Sequence, residues 1–389
     1  MVAKITKKNK SLCIDAKINS DKYPILIGSN LFEEIPELFS KKNVGKQVLI
    51  IADSFFENSF SSELVNILER GGFKTEIFFI NAGKFNKTFY EMIRVFDHME
   101  SSGYSRDSCI IAMGGGVIGD LAGLIASLWY RGINLLHVPT TLMAMVDSSV
   151  GGKVALNFKS TINAIGTFYH PIGVLADVRF LQNLPSRDIY AGIAETIKCG
   201  LIDSPSILEM LEKKPIKKDI SENNFFEEII NVSLMTKLKF VDGDLHERGK
   251  RLFLNFGHTL GHSIETTSQS SSADLYRHGE GVALGICAAL YISERHLGLN
   301  HNIYLRTKKL FDKFNLPTKI TKEIQLKNHY INIENLMLNV YKDKKRLFSG
   351  LKMILLSPDG NPCVVSDVPN SLIEDAFKFL LSGDELNEK

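Results

Sequence analysis

Along the first half of the chain, short apolar runs alternate with segments whose apolar residues recur every three to four positions. Gln47–Asp53 is a continuous apolar run of buried-strand length. Residues 75–80, 107–113 and 134–139 are further strand candidates. Helical periodicity covers residues 61–70, 90–101 and 121–130. Strand, helix and strand in series predict a mostly parallel sheet covered on both faces. After Pro185 the β-type runs almost vanish. Residues 186–201, 226–240, 281–297 and 305–314 are long and helix-periodic, and 351–356 is the only later strand candidate. The pattern predicts an α/β domain over residues 1–185 and an all-α domain over residues 186–389.

Composition narrows the class. A chain of 389 residues with 44% hydrophobic and 23% charged positions suits two globular domains. A net charge of +2 supplies no global field for nucleic acid or a membrane surface, so an anion would meet only local cationic clusters. Cys13, Cys109, Cys199, Cys287 and Cys363 are odd in number, widely spaced and without a Cys-x-x-Cys. They predict a reducing, cytoplasmic setting and neither a disulfide framework nor a thiolate metal site. No apolar run reaches the length of a membrane span, and the basic first ten residues lack the apolar core of a signal peptide.

Four segments carry candidate chemistry. Gly114-Gly115-Gly116-Val117-Ile-Gly119-Asp120 follows a predicted strand and opens a predicted helix. Its backbone N–H groups can approach a pyrophosphate closely, as in dinucleotide-binding turns. Thr140 and Thr141 stand after the next strand, where an acidic ribose ligand would be usual. Val146-Asp147-Ser148-Ser-Val-Gly-Gly-Lys153 couples small residues to a cation. In Glu195-Thr-Ile-Lys198 the two charges lie together, opposite an apolar face of Ile189, Ile193, Ile197 and Leu201. Spacing alone reads them as a solvated i,i+3 pair.

The fourth segment is the densest. His258 and His262 fall one turn apart on a predicted helix, Glu265 lies on the same stripe, and His278-Gly-Glu280 follows. Phe253, Phe256, Leu260 and Ile264 are expected on the opposite face. Three imidazoles so placed can supply nitrogen ligands to zinc or a similar ion; a solvated polar face is the competing reading.

Together these blocks, in this order, resemble the 3-dehydroquinate synthase family of sugar-phosphate cyclases. The resemblance runs from the strand near Ile25 to the C-terminal helix. It implies a Rossmann-like NAD-binding α/β domain followed by a helical metal- and substrate-binding domain. It implies a lyase of the shikimate pathway that cyclises 3-deoxy-D-arabino-heptulosonate 7-phosphate to 3-dehydroquinate with phosphate release. The implied metal ligands are Glu195, His258 and His278, with zinc or cobalt as the ion, and His262 is then a substrate-facing group. Lys198, His262, Asn255 and Asp147 are implied catalytic residues. Arg131, Lys153, Asn163, Lys237, Arg251 and Lys344 would bind substrate, Arg131 reaching the site of a second copy in a homodimer. Asp53, Lys87, Gly115, Gly116, Val117, Asp120, Thr140, Thr141, Asp147 and Ser148 would hold NAD.

Three positions depart from the family pattern. Ile162 replaces a lysine before Asn163, Lys84 replaces an acid, and Phe55 replaces an asparagine. All three touch the cofactor half, which makes NAD affinity the property most open to change. Two alternatives use the same parts. One is a sister cyclase forming 2-deoxy-scyllo-inosose, valiolone or an amino-dehydroquinate. The other is a metal-dependent polyol dehydrogenase, which would release NADH stoichiometrically.

Overall fold

In a computed structural model the described residues are 3–8, 11–57, 59–81, 83–159, 161–214, 224–270, 273–322, 324, 331–346 and 351–382. The chain forms two compact units, Met1–Leu184 with Ile216–Leu245, and Pro185–Pro215 with His246–Lys389.

The first unit is built on an eight-stranded sheet. Its strands are β1 (Ala3–Lys8), β2 (Ser11–Ile18), β3 (Asp21–Gly28), β4 (Gln47–Asp53), β5 (Lys74–Ile80), β6 (Cys109–Gly114), β7 (Asn134–Pro139) and β10 (Gly173–Asp177). A separate antiparallel hairpin pairs β8 (Lys153–Phe158) with β9 (Thr161–Phe168). The sheet order is β1-β2-β3-β10-β7-β6-β4-β5. The first two pairings are antiparallel and the other five parallel. Helices α1 (Ile35–Lys41), α2 (Phe60–Arg70), α3 (Phe89–Ser101) and α4 (Gly116–Leu128) connect the strands.

The topology positions the candidate loop. From β4 the chain goes outward to β5, then returns to lay β6 on the other flank of β4. Such a reversal opens a crevice at the carboxyl ends of the two strands. Asp53 ends β4 and Gly114 ends β6, with Ala52 in register with Met113. Every residue of β6 is buried, as a strand covered on both faces requires. Leu121, Leu124 and Ile125 of α4 pack there with Leu49, Ile51, Ile110 and Leu135.

Antiparallel strands β1 to β3 and the β8–β9 hairpin were not expected from the apolar pattern. In β2 charged residues interrupt the apolar positions, and β9 is exposed at most positions. Helix α7 (Phe225–Val241) groups with the first unit. It is fixed there by Asn19 N donating to Asp242 Oδ1 (3.1 Å) and Gly243 N to Asn19 Oδ1 (3.2 Å). Periodicity marks a helix but does not say which layer it covers, so the division at residue 185 read from the pattern is interrupted by this return.

The second unit comprises α5 (Ser186–Ile202), α6 (Pro205–Lys213), α8 (His258–Ser268), α9 (His278–Ile292), α10 (His301–Lys313), α11 (Ile333–Arg346) and α12 (Asn370–Ser382). It is helical, with one hairpin of β11 (Met353–Leu356) and β12 (Pro362–Val365) and a two-residue ladder between 269–270 and 273–274. Helix α9 is apolar almost all round, and nearly every residue is buried. It packs on α8 by direct backbone approach. A methyl group on Gly285 would overlap the Gly257 carbonyl oxygen and lie 2.6 Å from Gly261 N. Gly285→Ala should therefore destabilise the second unit by about 1–3 kcal/mol through overpacking. A guanidinium midpoint unchanged from the parent would show that α8 and α9 tolerate separation.

Candidate metal centre and nucleotide loop

The second unit gathers one carboxylate and three imidazoles from three helices. Glu195 lies on α5, His258 and His262 on α8, and His278 opens α9. Glu195 is 1% exposed and Lys198 2%, so the pair is a core feature. The i,i+3 spacing cannot reveal this, because α5 is buried almost all round.

Glu195 Oε1 stands 3.5 Å from His258 Nε2 and 3.6 Å from His278 Nε2, and it has no hydrogen-bond partner. A buried carboxylate oxygen left so costs about 1–3 kcal/mol or more unless something else satisfies it. Donors each about 2.1 Å from a tetrahedral zinc ion lie about 3.4 Å apart. The two observed separations match that spacing and are too long for hydrogen bonds. The donor set therefore fits a divalent ion.

Each imidazole is turned by its far nitrogen. His258 Nδ1 is 3.2 Å from the Phe256 carbonyl oxygen, and His278 Nδ1 is 2.9 Å from Glu265 Oε1. A carbonyl oxygen only accepts, so His258 carries its proton on Nδ1 and presents a bare Nε2 lone pair. His262 lies with its ring centroid 5.3 Å from His258 and 5.8 Å from His278. Its nearest ligating nitrogen falls within 4.8 Å of theirs, and the residue is exposed. Leu260 and Ile264 take the apolar face of α8, but Phe253 and Phe256 precede the helix, which begins only at His258.

Charge is unevenly held. Burial works against an ionised Glu195, but Lys198, His258 and His278 hold its carboxyl well below the usual range. Burial, reinforced by Lys198, pushes His258 down to about 3. Burial opposes charge on His278 as well, yet Glu265 and Glu195 raise it to about 10. Beside these groups a cavity of about 540 Å³ is lined by Glu247, Arg248, Asn255, His258, Thr259 and His262 among others. Asn255 Nδ2 donates to Glu247 Oε1 at 3.0 Å, and Arg251 is buried.

In the first unit the glycine loop opens α4 with Gly115 at the N-cap, where no side chain caps the helix. A Cβ on Gly115 would come 3.2 Å from Thr141 Cγ2, and one on Gly116 would come 3.1 Å from Ser148 Oγ. The loop is thus a narrow cradle at an uncapped helix N-terminus, suited to a phosphate. Thr140 N donates to the Gly114 carbonyl oxygen at 3.0 Å, tying β7 to the cradle. Lys87 is buried and binds both Asp120 Oδ2 and Asn163 Oδ1. Burial nevertheless raises the Asp120 carboxyl, with Lys87 and Lys237 pulling the other way. Lys237 Nζ donates to Asp147 Oδ1 (2.8 Å) and to the Asp147 carbonyl oxygen (2.6 Å).

Comparison with known proteins fits both sites into one family. The family model described as 3-dehydroquinate synthase N-terminal matches residues 77–191, and the C-terminal model matches residues 192–346. The chain belongs to the 3-dehydroquinate synthase family. It is 34% identical over 355 residues to the 3-dehydroquinate synthase of Desulforamulus reducens, covering 91% of this chain and 96% of that one. It is 36% identical over 371 residues to that of Dictyoglomus thermophilum, covering 95% and 97%. A crystal structure of 2-deoxy-scyllo-inosose synthase complexed with carbaglucose-6-phosphate, NAD+ and Co2+ superposes with a TM-score of 0.80. Its identity is 26%, over 95% of this chain and 100% of that one.

Within this family's fold the predicted residues fall into two groups. Glu195, Lys198, Arg251, Asn255, His258, His262 and His278 belong to the second unit. Asp53, Lys87, Gly115, Gly116, Val117, Asp120, Arg131, Thr140, Thr141, Asp147, Ser148, Lys153, Asn163 and Lys237 belong to the first. Asp53 accepts from Phe55 N at 3.0 Å and caps the turn after β4. Lys153 is exposed at the head of β8. The side chains of Lys84, Lys344 and Lys345 lie outside the described residues. No described helix is long and apolar enough to cross a membrane. Sequence reasoning left Glu265 without a role, although its place on the histidine stripe was the signal for one.

The proton on His278 has a consequence for any ion entering the centre. A divalent cation must displace it from Nε2, so metal affinity should rise with pH toward about 10, the value for the metal-free site. Zinc titration at neutral pH should release about one proton. Calorimetry in two buffers of different ionisation enthalpy reads this directly, and identical heats in both would contradict it.

Proposed function

We propose that the chain is a 3-dehydroquinate synthase, cyclising 3-deoxy-D-arabino-heptulosonate 7-phosphate to 3-dehydroquinate with release of phosphate. The observation that carries this reading is the buried Glu195 Oε1, which receives no hydrogen bond and faces two imidazole Nε2 atoms at 3.5 and 3.6 Å. Glu195, His258 and His278 would hold one divalent ion. Identity favours the same branch, with 34–36% to the two synthases against 26% to the inosose-forming relative.

When bound, NAD+ supplies reversible oxidation of a substrate alcohol, and zinc or cobalt supplies a Lewis acid beside that alcohol. The chain's own groups do the rest. Gly115, Gly116 and Val117 offer backbone at the pyrophosphate. Asp53, Lys87, Asp120, Thr140, Thr141, Asp147 and Ser148 line the nucleotide's path. Lys153, Asn163, Lys198, Lys237, Arg251 and Lys344 bind the phosphate and carboxylate ends of the sugar acid. Two anionic ends account for this many cations, whereas a polyol needs none. His262 and Lys198 hold and pass protons at the substrate, and Asn255 orients it.

Two finer readings accompany this. The enzyme is cytoplasmic, in keeping with five cysteines that form no disulfide. It is a homodimer in which Arg131 serves the phosphate site of the second copy. Support comes from Tyr130 at φ 48° and Arg131 at φ 70°, a costly backbone turn that presents an exposed guanidinium.

Metal-replete protein given the heptulosonate phosphate and NAD+ far below the substrate concentration should release phosphate over many turnovers per NAD+. Glucose 6-phosphate or sedoheptulose 7-phosphate turning over as fast or faster would move the chain to a sister cyclase. NADH accumulating one for one with substrate would make it a polyol dehydrogenase.

A further inference from the structure

The metal centre depends on how α9 enters it, and the chain secures that entry with two crossed ion pairs. Arg187, in the first turn of α5, donates through Nε to Glu280 Oε1 (2.6 Å) and through Nη2 to Glu280 Oε2 (2.7 Å). The same Nη2 donates to the Leu275 carbonyl oxygen (2.5 Å), just before α9 begins. Glu280 Oε2 also accepts from Arg277 N at 2.8 Å, closing a capping arrangement at the head of α9. In the opposite sense, Arg277 Nε lies 3.0 Å from Asp188 Oδ1 on α5. Each helix start thus supplies one cation and one anion to the other.

Backbone contact leaves no slack beneath these pairs. A methyl group on Gly279 would overlap the Ala191 carbonyl oxygen and lie 2.6 Å from Ala191 Cα. His278 precedes Gly279 and Glu195 lies one turn beyond Ala191. The Glu195–His278 separation is therefore set by how α9's first turn sits on α5. Arg187 is half exposed and Glu280 buried, so the fork closes over the outside of this contact.

We propose that the Arg187–Glu280 fork, backed by Arg277–Asp188, is a positioning device that fixes the bite between Glu195 and His278 and thereby determines how tightly the centre retains its ion. Neither Arg187 nor Glu280 is a ligand. They act through the register of two helices, as outer-shell groups do when their loss costs about 10–100-fold in metal affinity. This rests on the metal reading of Glu195, His258 and His278.

The test is a cycle of Arg187→Met, Glu280→Gln and the double variant, with Arg187→Lys as the charge-retaining control. Zinc affinity is measured by competition with a chromogenic chelator, and thermal midpoint on the metal-free forms. Each single variant should weaken zinc binding at least tenfold, and the double variant should lose little more, because the two act as one unit. Arg187→Lys should keep part of the affinity, since it retains charge and loses the fork. Metal-free midpoints should shift by only a few degrees. Unchanged zinc affinity in Arg187→Met would overturn the proposal and leave Glu280 a helix cap. Additive losses in the double variant would equally overturn it. Failure of the parent protein to bind zinc would instead overturn the metal reading on which the proposal stands.

Discussion

The second unit depends on one constraint: a buried carboxylate held in contact range of two imidazoles whose far nitrogens are already committed. Glu195 has given up water, and its Oε1 receives no hydrogen bond in return. Lys198 neutralises the other side of the group but cannot fill the space between Oε1 and the two Nε2 atoms. That space is kept by backbone packing. Gly285 lets α9 lie on α8, Gly279 lets it lie on α5, and larger residues at either place would spread the donors apart. Close packing transmits such strain because interiors do not yield like liquids.

The two imidazoles differ in charge for reasons of neighbourhood. His258 looks toward Lys198 and a backbone carbonyl, so burial leaves it neutral. His278 sits between Glu265 and Glu195, and the two anions outweigh its burial. A site with one neutral donor and one protonated donor is poised to exchange a proton for a cation. In the first unit the logic is reversed. An uncapped helix start, Lys87 and a glycine cradle suit an anion, and Asp120 and Asn163 hold the Lys87 ammonium in place.

Much of this was legible in the sequence, and the limits have physical causes. The strand Gln47–Asp53 and the helix ending at Ser101 follow from apolar runs and 3.6-residue periodicity. The glycine loop was recognisable because its chemistry is local. Strands β2 and β9 were missed because interrupted or exposed strands lack an apolar signal. Glu195–Lys198 looked like an ordinary surface pair, because spacing reports a face but not what covers it. The role of Glu265 needed the return of α9, thirteen residues later, to bring His278 against it. Resemblance to the family, more than spacing, singled out Glu195 as the partner of His258 and His278.

The central claim is that Glu195, His258 and His278 hold one divalent ion while His262 faces the substrate. Zinc stoichiometry of purified His258→Ala and His262→Ala, measured side by side with the parent, tests it most directly. His258→Ala should lose its ion, since two remaining ligands hold zinc poorly, and His262→Ala should retain it while turning over slowly. Full zinc occupancy in His258→Ala, or equal loss in both variants, would contradict the account.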